Sequence, residues 1–254
     1  MRKHRRAFKN ENGAHPPDFE FLTFRRLPRR WCPLCWLRKR SLITTGIPSL
    51  DMLLGGGIRT GAITEFLGER GLGKSRILHQ LCVNVQLPPS KGGLQGKAVF
   101  IDTEGSFREE LVTKIASALS LSPSKVLRNI LVKRVFTTEQ QMAALNEDEI
   151  ERRRVKLIVV DTLNSLFKRE FPDGRLEDRC RLARYVHALY RLAYTRDFAV
   201  VVANHVVDLS TEMWIRYAVT TRIHILKGRG RVRIARLVDD PILGGMERAF
   251  CLPA

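Results

Sequence analysis

Residues 68–75 read Gly68-Glu69-Arg70-Gly71-Leu72-Gly73-Lys74-Ser75, a full match to the G-x-x-x-x-G-K-[ST] loop. Its glycines let the backbone curl so that successive N–H groups point into one concavity, which suits phosphate oxygens. Lys74 is expected to reach the β- and γ-phosphates, and the Ser75 hydroxyl to ligate Mg²⁺. Context gives the pattern its meaning. Residues 62–67 have the length and composition of a strand, and Ile77, Leu78, Leu81, Cys82 and Val85 recur at helical spacing. The loop therefore joins a strand to a helix, whose N-terminus adds partial positive charge. A nucleoside-triphosphate site follows, and it requires an α/β architecture around it.

The rest of the chain alternates accordingly. A short helix after Thr44-Thr45-Gly46-Ile47-Pro48 ends at Gly55-Gly56-Gly57. Residues 98–102 form an apolar run of buried-strand type, and Ser106 with Glu109 reads as a capping box for the next helix. Residues 130–136 read as a strand, and Thr138 with Gln141 opens a further helix that runs through the acidic-then-basic stretch Glu147 to Arg154. Leu157-Ile158-Val159-Val160-Asp161 is a strand, 176–195 a long amphipathic helix, and 199–203 another strand. Residues 220–227 and 231–238 alternate as two antiparallel strands joined at Gly228-Arg229-Gly230.

Two carboxylates stand where this chemistry needs them. Asp161 ends a buried strand and is followed by a hydroxyl residue, the position for a carboxylate that holds Mg²⁺ through water. Glu104 follows the strand after the P-loop helix. Because parallel sheets place ligands at the carboxyl ends of their strands, Glu104 is expected to face the γ-phosphate and orient the attacking water.

Charge adds a second partner. Lys and Arg number 44 against 26 Asp and Glu, a net +18, which favours polyanions. Residues 1–40 carry +9 of this, with 12 Lys and Arg against 3 Asp and Glu, and prolines 16, 17, 28 and 33 break any helix there. We expect residues 1–41 to be a basic arm and 42–254 the folded core. Cys32 and Cys35 form one C-x-x-C between Trp31 and Trp36, without a second pair at zinc-site spacing. Five cysteines do not suggest a disulfide framework, and no apolar run reaches bilayer-spanning length. The expectation is an intracellular protein of the cytoplasm or nucleoid, with no membrane partner.

The strings ITTGIPSLDMLLGGGI (43–58), GAITEFLGERGLGKSR (61–76), FIDTEGSFREE (100–110), LIVVDTLNSLF (157–167) and TTRIHILKGRGRVRIARLVDDP (220–241) resemble the RecA-type recombinases, specifically the branch of archaeal RadA and the eukaryotic Rad proteins. The resemblance implies a RecA-like P-loop NTPase: a mostly parallel central sheet flanked by helices, with a C-terminal antiparallel hairpin. It also implies Mg²⁺ and ATP, hydrolysis of ATP, and polymerisation on single-stranded DNA. Carried over by residue, Glu104 matches the carboxylate that positions water, and Lys74, Ser75 and Asp161 match the Walker residues. Arg108 matches an arginine lying against adenine. Asp239 and Pro241 match a cap that one subunit places over its neighbour's nucleotide, which implies a homo-oligomer.

This sequence also departs from the family pattern. At the position after the asparagine where the family's N-Q-V string carries a polar residue that senses the γ-phosphate, this sequence has His205, in Val202-Ala203-Asn204-His205-Val206. The first DNA loop survives in FPDGRLEDR, with Arg175 and Arg179 as candidate contacts. The second is confined to residues 207–219, about half the family's length by the resemblance, and leaves Trp214 and Arg216 to meet a base or the backbone. No match to the family's helix-hairpin-helix domain or interlocking segment precedes Ile43. The expected function is a DNA-binding ATPase of recombination and repair that assists a full-length RadA-type recombinase on single-stranded DNA. A regulatory ATPase acting through protein partners, a non-hydrolysing DNA-binding accessory and a minimal strand-exchange recombinase are the alternatives.

Overall fold

Why the strands lie side by side is visible in the run Val155–Asp161 (β6), whose residues are buried on both faces except Lys156. Leu157 and Val159 point into one apolar layer, Ile158 and Val160 into the other. A strand clad on both faces belongs in the middle of a parallel sheet covered by two layers of helices. The computed structural model describes residues 40–173, 175–205, 215 and 218–252. The arm, with Cys32 and Cys35, and the loop residues Trp214 and Arg216 lie outside the described residues.

Six strands run parallel: β3 (Ala62–Leu67), β4 (Lys97–Asp102), β5 (Ile130–Arg134), β6, β7 (Ala199–Asn204) and β8 (Thr221–Lys227). Strands β9 (Val232–Asp239) and β10 (Glu247–Cys251) add antiparallel at one edge, giving the order β10-β9-β8-β3-β7-β6-β4-β5. The expected hairpin is present at Gly228–Gly230, and β10 is an additional strand beyond it. A separate ribbon pairs β1 (Leu42–Ile43) with β2 (Ile58–Arg59). Helices α1 (Pro48–Leu53), α2 (Lys74–Asn84), α3 (Glu109–Ala118) and α4 (Pro123–Arg128) cover one face. Helices α5 (Thr138–Ala143), α6 (Glu147–Arg152), α7 (Ser165–Glu170) and α8 (Leu176–Arg196) belong to the other. This is the mixed-sheet α/β fold of a RecA-like P-loop NTPase.

Two helix starts differ from expectation. The Ser106–Glu109 capping box does not form, because Ser106 Oγ donates to the Asp161 carboxylate instead, at 2.7 Å. A charged acceptor makes the stronger bond, so α3 begins at Glu109 after Arg108 in extended geometry. The helix opened near Thr138 is two helices. Thr137 caps the first by accepting from Gln140 N, and Asn146 caps the second by accepting from Glu149 N.

Candidate nucleotide site

The neighbouring strands β3, β7, β6 and β4 end level with one another. Leu67 pairs with Asn204, Ala203 with Asp161, and Asp161 with Asp102. The P-loop, His205, Asp161 and Glu104 consequently leave the sheet along one rim, as expected for ligand sites at the carboxyl ends of parallel strands. They open on a cleft of about 890 Å³ lined by Arg70, Gly71, Gly73, Lys74, Ser75, Glu104, Asp161 and His205, among others.

The loop's conformation depends on its glycines. Gly71 and Gly73 have φ of +78° and +92°, left-handed values that side chains resist. At Gly73 a Cβ would also stand 2.1 Å from Leu252 Cδ1, so the residue after β10 packs directly against the P-loop. Gly73 is the N-cap of α2, which aims the first N–H groups of the helix at the rim. Lys74 is buried, and its Nζ donates to Gly68 O at 2.6 Å and Glu69 O at 2.8 Å. Burial lowers its pKa, with Arg70 acting in the same direction and the charges of Asp161 and Glu104 opposing.

Asp161 is 2% exposed. Burial lifts its carboxyl above the ordinary range; the hydroxyls of Ser75 and Ser106 pull it back, while Glu104 and Asp102 push it further up. An anion held in such a place favours a cation beside it. The Ser75 hydroxyl and the Asp161 carboxylate are hard oxygen donors, and they fit Mg²⁺, which takes one or two protein oxygens and completes its shell with phosphate and water. Among the described residues no three or more His, Cys, Asp or Glu gather into a metal-holding group.

Glu104 sits opposite the P-loop. Its carboxylate accepts from Thr162 Oγ1 at 3.3 Å, pairs with Arg70 Nη2 at 3.6 Å, and lies 3.3 Å from His205 Nε2. The structure thus brings together Arg70, Lys74, Ser75, Asp161, Glu104 and His205.

Other expected residues stand apart from this cleft. Arg108 directs Nη1 to Gly105 O at 2.7 Å and Phe107 O at 2.8 Å. Asp239 ends β9 in register with Arg222, and Pro241 lies two residues further on, after Asp240. Arg175 precedes α8 beside Asp173 at 4.0 Å, and Arg179 lies in the first turns of that helix.

Sequence reasoning missed Asp102, which is fully buried and accepts from Ser106 N at 2.8 Å and Phe107 N at 3.2 Å. The one signal was a carboxylate at the end of an apolar run. It also missed Thr103, whose Oγ1 donates to Thr162 O and accepts from Thr162 N, stitching the ends of β4 and β6 together. Arg134, Phe136 and Arg169 extend the cleft beyond Glu104. No linear pattern connects those three.

Comparison with known proteins accords with this geometry. The chain is 44% identical over 227 residues to the DNA repair and recombination protein RadA of Metallosphaera sedula, covering 83% of this chain and 70% of that protein. It is 42% identical over 226 residues to the protein of the same name from Aeropyrum pernix, with the same coverage. Residues 38–254, which include every strand of the sheet and the whole cleft, match the family described as Rad51. A match of that extent, with relatives this similar, places the chain in the Rad51 family.

Proposed function

We propose that this protein binds Mg²⁺-ATP, hydrolyses it slowly, and binds single-stranded DNA as a recombinase paralogue assisting a full-length RadA-type recombinase in recombination and repair. The observation that carries the nucleotide reading is the convergence of Lys74, Ser75, Asp161 and Glu104 on one cleft. The relatives named for DNA repair and recombination and the net charge of +18 support a nucleic-acid partner.

The roles follow from position. The P-loop N–H groups cradle phosphate oxygens, and Lys74 turns its ammonium from the carbonyls of Gly68 and Glu69 to the phosphates. Ser75 and Asp161 hold the metal ion, which neutralises charge on the phosphates when bound. Glu104, kept in place by Thr162 and His205, orients water towards the γ-phosphate. Arg175, Arg179, Trp214 and Arg216 supply DNA contacts. Asp239 and Pro241 cap the nucleotide of a neighbouring copy, and Arg108 flanks the base.

The accessory role rests on the short segment 207–219, which offers few residues to reach between the bases of an extended strand. The similarity to RadA along most of the chain favours a second reading, a minimal strand-exchange recombinase. The test is the ATPase rate with and without single-stranded DNA, together with strand exchange by the purified protein alone. DNA-stimulated hydrolysis without exchanged product is the expected result. Efficient product without an added recombinase would establish the second reading, and absence of ATP binding would refute both.

A further inference from the structure

After β4 the chain leaves the sheet, and residues 103–108 carry Glu104 without a ladder partner for the last three N–H groups. Buried backbone donors need acceptors, and here two buried side chains provide them in succession. Asp102 takes Ser106 N at 2.8 Å and Phe107 N at 3.2 Å. His79, 1% exposed on α2, takes Arg108 N through Nε2 at 2.9 Å. The same ring places Nδ1 2.6 Å from Ser75 O, one helical turn earlier.

These partners determine the imidazole's tautomer. A backbone N–H can only donate, so Nε2 offers its lone pair; a carbonyl can only accept, so Nδ1 carries the proton. The ring is neutral in this arrangement. Its plane is held by Phe107, stacked at 5.1 Å and 23°, and by Phe100 at 5.2 Å. One side chain therefore joins the residue whose hydroxyl faces Asp161 to the loop that carries Glu104. Neither His79 nor Asp102 lines the cleft, so any effect on chemistry passes through the groups they hold.

We infer that His79 is a positioning residue that clamps the Glu104 loop to the P-loop helix, while Asp102 ties the same loop to the end of β4, together setting the carboxylate at its working distance from the phosphates. The inference rests on the proposed role of Glu104 and extends it to two residues outside the cleft.

His79→Phe keeps an aromatic ring between Phe100 and Phe107 but removes both hydrogen bonds. His79→Gln restores a carbonyl acceptor for Arg108 N. Mg²⁺-ATP affinity of His79→Phe is expected within about twofold of the wild type, with hydrolysis reduced between about tenfold and a hundredfold and partly regained by His79→Gln. Hydrolysis at the wild-type rate in His79→Phe would overturn the clamp. So would loss of nucleotide affinity in step with hydrolysis, which marks simple support of the P-loop.

Two readouts need no ATPase, so they separate failure of the clamp from failure of the functional reading. Amide exchange at residues 105–110 should accelerate in His79→Phe while exchange at 68–75 stays unchanged; equal exchange at 105–110 refutes the clamp even if the wild type proves inactive. Nitrogen-15 spectra of wild-type His79 should show a protonated Nδ1 and a bare Nε2. The opposite tautomer overturns the inference whether or not the variant folds.

Discussion

His205 Nε2 lies 3.3 Å from one oxygen of Glu104 and 3.4 Å from the other. The nitrogen that faces a carboxylate is the one that carries a proton, so the ring donates across the cleft from the end of β7 to the loop after β4. His205 also stands just before residues 207–219, the proposed second DNA loop. On the proposed function, DNA bound at that segment acts on Glu104 through His205. His205→Gln retains a donor and should keep hydrolysis within about threefold of the wild type, whereas His205→Ala should lower it about tenfold. In the alanine variant the ratio of DNA-stimulated to basal rate should fall towards one. An unchanged ratio in steady-state assays would uncouple His205 from DNA.

Lys74 and Glu104 should separate binding from chemistry. Lys74→Ala is expected to lose ATP binding measured by calorimetry. Glu104→Gln is isosteric and should bind normally, with hydrolysis reduced by about two orders of magnitude or more. Wild-type turnover by Glu104→Gln would remove Glu104 from the catalytic role.

Asp161 makes a prediction about stability. Its folded pKa is raised, chiefly by burial, so the native state binds this proton more tightly than the unfolded chain. Stability from this site is present at low pH and is lost as pH rises from the ordinary Asp value, about 4, through the raised one. Asp161→Asn removes that loss. Without Mg²⁺ or nucleotide, the variant should melt above the wild type at neutral pH, with the gap closing towards pH 4. Added Mg²⁺-ATP should stabilise the wild type and not the variant. A variant that melts below the wild type at neutral pH contradicts the assignment.

Gly73 tests the close approach of Leu252 to the P-loop. Gly73→Ala puts a side chain at φ +92° and a methyl carbon against Leu252 Cδ1. The left-handed backbone alone should cost about 1–3 kcal/mol in chemical denaturation. Gly73→Ala with Leu252→Ala removes the clash and should recover part of the loss. No recovery would show that the strain is wholly in the backbone.

Deleting residues 1–39 removes most of the positive charge of the first 40 residues and leaves Arg40, whose Nη1 holds Asp197 at 2.9 Å. Affinity for single-stranded DNA should fall, and the slope of log affinity against log salt should flatten by about 0.7 for each phosphate that the arm no longer neutralises. An unchanged slope in fluorescence-anisotropy titrations would move the DNA surface to the core.

What the sequence by itself determined is local. The spacing in residues 68–75 announced the turn between β3 and α2, because glycines admit the positive φ values that it adopts. The apolar runs ending at Asp102, Asp161 and Asn204 announced buried parallel strands, since a strand covered on both faces needs nearly continuous apolar residues. Glu104 and Asp161 were legible for the same reason: each stands at the carboxyl end of such a run.

Tertiary structure alone decided which of these ends became neighbours. The order β3-β7-β6-β4 sets His205 beside Glu104 although 101 residues separate them in the chain. It also explains the failed capping box. In sequence, Ser106 has only Glu109 within reach; in the fold, the buried Asp161 carboxylate lies 2.7 Å away and takes the hydroxyl. His79 lay hidden within an amphipathic helix pattern, where a buried ring at helical spacing looks like any core residue. Its meaning comes from Arg108, which meets it only after α2, β4 and the turn beyond have packed. Local geometry follows from propensity and spacing, whereas these contacts depend on which strands pair, and pairing is chosen by burial summed over the whole sheet.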